Sequence, residues 1–415
     1  MKRNIACFII ISLLLMYIGN AKVTCAKVDI QSTVKDISGT KRKLTIDSVK
    51  NVGTKLEDFY YPSEYGQVAN GHYYYMRQTK SNQFTIYPDA GKKVGSFKEA
   101  NREPGYMRYG FGWYGGKFYL DIRNDEMKMI KVAVVDLKQK TTKTICTCTV
   151  HTDDAMNKYL NHTEVYLYQN KIYAMHGLGD DKEFKVEEFD MSSGSLLYTF
   201  SFPKPGKNEI MNFINIADGK IYYAIERLTG KNQVTFRCRD METNKDKKVF
   251  RCNLSSKNVH KNYYHYGDNT LIMKGKEIYY YGTYGSGGYW LNGLVYSIPS
   301  AGGKMQQIGK GEIRDFAYNN KYYFYIDKKF SLHRQNRKTG KDKVISGIKA
   351  IKVDCTKKGL YVQKYDKWFD DDDASGFEYA NADYGHALYF MNFKGGNVKK
   401  IAQYTMGHMS YEDWE

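Results

Sequence analysis

Signatures of the familiar soluble enzyme classes are missing from this 415-residue chain. It has no Gly-x-Ser-x-Gly elbow for a nucleophilic serine, no His-Glu-x-x-His zinc helix, no Gly-Lys-Ser/Thr phosphate loop and no paired Cys-x-x-Cys. One dinucleotide fingerprint matches literally, Gly110-x-Gly112-x-x-Gly115. That motif needs a helix to start at its glycines, whereas Lys117-Phe118-Tyr119-Leu120 reads as another strand, so the match is discounted. The nine His are scattered, and His260 and His265 share a connection without a third ligand. Cysteine is thin as well. Of 7 Cys, Cys7 and Cys25 lie in or near the N-terminal leader, which leaves Cys146, Cys148, Cys238, Cys252 and Cys355. An odd number in a chain large enough to fold on its own core excludes a disulfide framework. Cys146-x-Cys148 lacks the second pair that zinc requires. Buried thiols are the default, and a bridge between Cys238 and Cys252 on neighbouring strands is the one pairing left open. Proline is scarce, 6 against 37 Gly, and no apolar run beyond the N terminus is long enough to span a bilayer.

What is present leans towards an all-β protein. There are 39 Tyr, a residue that fits a pleated, half-buried surface, and glycine supplies the positive-φ positions of tight turns. With 42% hydrophobic and 26% charged residues the chain can build a core. Lys2 and Arg3 precede an apolar stretch from Ile5 to Ile18, followed by small residues in Gly19-Asn20-Ala21, the pattern of a secretory signal over residues 1–21. An uncleaved anchor is the alternative, though the run is shorter than the ~20 residues a spanning helix needs. Removing Lys2 and Arg3 takes the net charge from +18 to +16. Excess positive charge bears on partners and not on fold. For an exported chain the fitting anions are cell-wall polymer, lipid headgroups or acidic glycans, with nucleic acid a poorer candidate; a merely lysine-rich soluble surface is the plain alternative.

A short phrase recurs along the chain: a turn with Gly or Asn, usually Lys, an apolar residue, then Tyr. It appears as Asn70-Gly71-His72-Tyr73-Tyr74, Gly115-Gly116-Lys117-Phe118-Tyr119, Asn170-Lys171-Ile172-Tyr173 and Gly219-Lys220-Ile221-Tyr222. Gly275-Lys276-Glu277-Ile278-Tyr279, Asn320-Lys321-Tyr322-Tyr323 and Lys358-Gly359-Leu360-Tyr361 complete the series, at a mean spacing of about 48 residues. A second turn phrase follows each copy, as in Glu188-Phe189-Asp190-Met191 before Ser193-Gly194 and Phe390-Met391-Asn392-Phe393 before Gly395-Gly396. Each copy therefore holds four strands. A lone meander of this size cannot bury both faces, and radial stacking covers them. The expectation is a β-propeller of seven four-stranded antiparallel blades over residues 59–404, with six or eight as alternatives. The recurring tyrosines should pack between adjacent sheets with hydroxyls near solvent. Residues 27–58 read as an N-terminal hairpin that either closes the ring or forms half of an eighth blade, and 405–415 as a tail.

These phrases make the chain resemble bacterial secreted β-propellers of TolB-like or lipoprotein-receptor-related-propeller type, over roughly residues 60–404. The phrases are generic to propellers, so the resemblance implies architecture and not activity. The Tyr-Arg-rich third strand and the Trp-Asp pair of the receptor-related class are missing, as is the Ser-x-Asp-x-Gly box of sialidase-like blades.

Insertions are unevenly placed. Segments 98–108, 151–162, 203–211, 253–267, 282–292 and 366–385 all fall in second-to-third turns or blade-to-blade connections, which share one face of a propeller. Loops held by a rigid scaffold carry function, so that face is the candidate binding surface. Two insertions offer aromatic side chains suited to sugar rings or a protein pocket, Tyr284, Tyr289 and Trp290 in one and Trp368 and Phe369 in the other. The alternative is that they fold back on their own loops. Asp371, Asp373 and Ser375 with Gly376 match the first half of a calcium loop, but Ala382 stands where the bidentate Glu belongs, and a solvated acidic loop competes with the metal. No other cofactor is indicated. The functional expectation is a monomeric, non-enzymatic binding protein, secreted or on the outer face of the cell envelope, that engages a protein, a glycan or anionic wall polymer. A glycan-active hydrolase or lyase with carboxylates in the channel is the alternative, because residues gathered from different blades leave no local motif. Raised carboxyl pKa values would mark such an enzyme. Lys, Tyr and Ile usage points to a bacterium, so the Asn-x-Ser/Thr sites at Asn161 and Asn253 carry no weight.

Overall fold

The computed structural model describes residues 51–405 apart from 59–64, 70–71, 81–82, 89–92, 101–106, 125–127, 150–162, 178–183, 208, 228–232, 254–268, 275–276, 284–292, 298–305 and 366–384. Among the described residues every regular element is a strand, and no helix is long and apolar enough to cross a membrane. Two short strands come first, β1 (Thr54–Lys55) and β2 (Glu57–Asp58). Antiparallel meanders follow. One is β3 (Tyr65–Ala69), β4 (His72–Lys80), β5 (Gln83–Pro88) and β6 (Gly95–Lys98); the next is β7 (Met107–Tyr114), β8 (Lys117–Asn124), β9 (Met129–Asp136) and β10 (Thr141–Thr149). Then come β11 (Thr163–Tyr168), β12 (Lys171–His176), β13 (Phe184–Asp190) and β14 (Leu196–Phe202), and β15 (Glu209–Ala217), β16 (Lys220–Arg227), β17 (Gln233–Asp240) and β18 (Asp246–Asn253). A seven-stranded sheet is formed by β19 (Asn269–Lys274), β20 (Glu277–Thr283), β21 (Gly293–Ser297), β22 (Gln306–Tyr318), β23 (Tyr322–Asp327), β24 (Leu332–Asn336) and β25 (Asp342–Ser346). The last meander is β26 (Lys352–Cys355), β27 (Leu360–Tyr365), β28 (Gly385–Met391) and β29 (Lys399–Thr405). Strand β22 serves two meanders: its start pairs with β21 and its end with β23, and Gly309 at φ +76° sits where the two roles meet.

The recurring phrase is a turn that the backbone requires. Gly115 and Gly116, Gln169 and Asn170, and Asp218 and Gly219 all hold positive φ at both central positions, the hairpin geometry whose twist matches the flanking strands. The second phrase is equally physical. The side-chain oxygens of Asp136, Asp190, Asp240, Asn336 and Asn392 accept backbone N–H bonds from the turn that follows. Four residues after the first four of these, Lys140, Gly194, Asn244 and Gly340 adopt positive φ and close the turn. The literal dinucleotide fingerprint lies on β7 and the turn into β8, with no helix, as its discounting required.

Cores lie between successive sheets, which is the packing of a propeller. Ile130, Val132 and Cys148 pack on Val165, Leu167 and Ile172, and Phe324, Ile326 and Leu332 on Val353, Leu360 and Val362. The first and last meanders meet as well. Tyr73 on β4 stacks on Tyr361 on β27 with centroids 4.7 Å apart, and Gln363 Nε2 donates to the Tyr73 hydroxyl at 3.1 Å. Six of the seven recurring tyrosines are buried and Tyr74 is partly so, stacked on Trp113 across the meander boundary. Their hydroxyls are not uniformly near solvent, which corrects the sequence expectation. Burial, then the carboxylates of Glu188 and Glu277, pushes Tyr173 and Tyr279 well above the ordinary phenol range. The open cysteine bridge is excluded too. Cys238 lies opposite Lys247 and Cys252 opposite Val234, four positions along the ladder, and Cys238 is free.

Residues 51–58 take a path of their own. Gly53 N–H donates to Ile216 O on β15 at 2.7 Å; β1 pairs with β11 and β2 with β7. The segment crosses the first strands of three successive meanders and buries Leu56 completely between two of them. Residues 27–50, 406–415 and the leader 1–21 lie outside the described residues.

Candidate functional site

Because hairpins reverse direction, the connections sort onto two ends. First-to-second and third-to-fourth connections share a turn end, where 115–116, 169–170 and 218–219 are two residues long. Second-to-third connections and links between meanders share a loop end. The longest of all, 150–162, 254–268 and 366–384, leave from the loop end. The sequence candidates Tyr284, Tyr289, Trp290, Trp368 and Phe369, and the calcium candidates Asp371, Asp373 and Ser375, belong to loop-end connections that lie outside the described residues.

At the loop end the described residues form a charged floor, built where strand ends meet. On β8 every residue after Lys117 is buried, yet Asp121 and Arg123 project to one side two positions apart. Arg123 Nη2 donates to Asp121 Oδ2 at 2.6 Å, with both side chains essentially inaccessible. Next to them Glu164 on β11 pairs with Lys55 of the N-terminal segment and accepts the Tyr166 hydroxyl at 2.7 Å. Tyr166 also reaches Ile214 O at 3.2 Å and so ties two meanders together. At the same end His176 Nε2 meets Glu187 Oε2 at 3.0 Å, His176 Nδ1 meets Thr163 Oγ1 at 3.2 Å, and Lys185 Nζ lies 3.2 Å from Glu187.

The electrostatics of this floor keep its shifted carboxylates ionised. Desolvation raises the Glu164 carboxyl, but Lys55, Tyr166 and Arg123 outweigh it and hold the group below the usual carboxylate range. Glu187 behaves alike, with burial overcome by His176 and Lys185. A glycosidase acid needs a carboxyl held protonated near neutrality. Among the described residues the shifted carboxylates, Glu164, Glu187, Asp190, Asp240 and Asp342, all move down. No group of three or more His, Cys, Asp or Glu among the described residues could hold a metal. The sequence reading missed this floor. Its signal was present in Asp121-x-Arg123 and Glu164-x-Tyr166, where the period of two puts a charge and its partner on one face of a strand.

No protein-family model matches the sequence, and no curated protein matches it. Three solved structures align with most of this chain at low identity. The β-propeller domain of the Trilobed protease from Pyrococcus furiosus, described as having an open velcro topology, is 13% identical, with 82% of this chain and 98% of that one covered at a TM-score of 0.46. KlHsv2 with its loop 6CD replaced by a Gly-Ser linker is 10% identical, covering 85% and 99% at 0.42. Sqt1 of Saccharomyces cerevisiae is 8% identical, covering 87% and 88% at 0.42.

Proposed function

We propose that this chain is an exported, non-enzymatic binding protein at the cell envelope, a seven-bladed propeller that engages a protein or glycan through its loop end. The observation that carries the reading is the asymmetry of the connections: two-residue turns recur at one end, and the longest segments gather at the other. Rigid sheets holding long connections are the arrangement in which loops bind. The Asp121–Arg123 and Glu164–Lys55 pairs support binding over hydrolysis, since each carboxylate is already committed to a cation. Trp290 and Trp368 are the expected anchors, because a flat ring covers a sugar face or fills a protein pocket at small entropic cost.

The test is binding of the full chain to a glycan array and to solubilised envelope proteins, repeated with Trp290→Ala and Trp368→Ala. Loss of at least about tenfold in affinity, the scale of one anchor residue, is expected from one or both. Release of reducing ends from a bound polysaccharide would replace this reading with the hydrolase.

A further inference from the structure

The two ends of the molecule differ in charge as well as in length. The connecting sequences at the turn end carry 14 Lys or Arg against 3 Asp or Glu, whereas those at the loop end carry 13 against 18. The bias follows from the repeat, since both turn phrases contain lysine and both belong to the same end. Lys117, Lys138, Lys140, Lys338, Lys341 and Lys394 are all exposed there, and Glu242 is the one exposed acid in the described turns. The carboxylates at the adjoining strand ends are engaged internally: Asp136, Asp190 and Asp240 accept turn N–H groups, and Glu277 pairs with Arg337.

A second observation points to the same end. Among the described residues the exposed large hydrophobics are Val94, Leu196, Leu197, Tyr198, Val344 and Val398. Every one lies just before or within the first three residues of a fourth strand, β6, β14, β25 or β29. That is the outer rim of the turn end. Leu196, Leu197 and Tyr198 are 52, 49 and 47% exposed in succession on β14, which ends its sheet. Asn51, the first described residue, also lies at this end, where it and Asp218 exchange hydrogen bonds beside the β15–β16 turn.

We infer that the turn end docks on an anionic lipid bilayer, with the lysines facing the headgroups and the Leu196–Tyr198 rim entering the interface, so that the loop end points away from the membrane. Lysines near an anionic leaflet are attracted individually, and apolar side chains that enter the headgroup boundary add to that attraction. A soluble polyanion would use the lysines alone and gain nothing from an apolar rim, which is why the bilayer is the better fit. The inference does not depend on which ligand the loop end takes.

The experiment is co-sedimentation of the full chain with vesicles of phosphatidylcholine containing roughly one-third phosphatidylglycerol. Vesicles of phosphatidylcholine alone and soluble polyphosphate are the comparison probes. The combined substitution Lys138→Glu, Lys140→Glu, Lys338→Glu, Lys341→Glu is expected to weaken anionic-vesicle binding at least about tenfold. Lys204→Glu with Lys207→Glu, at the loop end, should leave it unchanged. Leu196→Ser with Leu197→Ser alters no charge; it should lower the fraction bound to vesicles and leave polyphosphate binding as it was. Equal binding to both vesicle types, equal loss from the loop-end reversal, or an apolar pair without effect on vesicles would each overturn the inference. The last, with polyphosphate still bound, would reassign the lysines to a polymer.

Discussion

Two glycines show how much one missing Cβ decides. Gly194 and Gly340 occupy the same turn position with similar φ, +73° and +68°. A Cβ on Gly194 would sit 1.9 Å from Ile145 O of the neighbouring β10, whereas on Gly340 the nearest atom is the Gln306 amide nitrogen at 4.0 Å. Gly340→Ala should therefore lose only the positive-φ penalty of about 1 kcal/mol. Gly194→Ala should lose more, about 2–3 kcal/mol, because one sheet must move off the next. Urea melts of the two variants measure the difference, and equal losses would deny the close approach. His333 provides a second test. It stacks on Tyr325 at 4.6 Å between Asp342 and Asp327, at 3.2 and 3.1 Å. Burial lowers its pKa, but the two aspartates win and hold it above the ordinary imidazole range, with Asp342 held below its own. A raised histidine contributes stability that is full below the unfolded value near 6.5 and lost as pH rises through the folded value. Stability should therefore fall by about 1 kcal/mol or less between pH 6 and pH 9, and His333→Gln should flatten that fall in thermal melts. None of this pairing was legible in the sequence, since the three charges lie on different strands whose register only the sheet reveals.

At the scale of elements, the turns were legible and the N-terminal segment was not. Asn-Lys-Ile-Tyr and Asp-x-x-Ser-Gly encode φ preferences and local hydrogen bonds, which are properties of a few adjacent residues, so their strands could be read directly. β24 and β25 flank a turn in which Asn336 accepts backbone N–H bonds just as the aspartates do. The long β22 carries no turn phrase where its roles change, since its start pairs with a different strand from its end. Residues 51–58 carry neither phrase. Their structure comes from partners about 50 to 165 residues away, as in Thr54 opposite Leu167 and Val52 opposite Ala217. Leu56 is completely buried at that seam. Leu56→Ala should lower stability by about 2–5 kcal/mol, read as a fall in the urea midpoint at unchanged slope. A loss under about 0.5 kcal/mol, the range of ordinary surface changes, would mean the segment merely lies on the surface.

At the scale of the whole molecule, repetition made the architecture legible while function stayed out of reach for the same reason. Residues that repeat build the sheets. Those proposed to bind fall in the connections that do not repeat, such as 284–292 and 366–384, and have no pattern to be read against. The asymmetry between two ends was visible in segment lengths, and its counterpart in charge emerged only when the strand ends were known. All of this rests on the sheets closing on themselves. Tyr73 and Tyr361, 4.7 Å apart at their ring centroids, come from opposite ends of the described chain. A double-mutant cycle with Tyr73→Ala and Tyr361→Ala measures that closure directly. A coupling energy of about 0.5–1.5 kcal/mol is the result this account predicts; losses additive within about 0.3 kcal/mol would mean the two rings do not meet and the sheets do not form a closed circle.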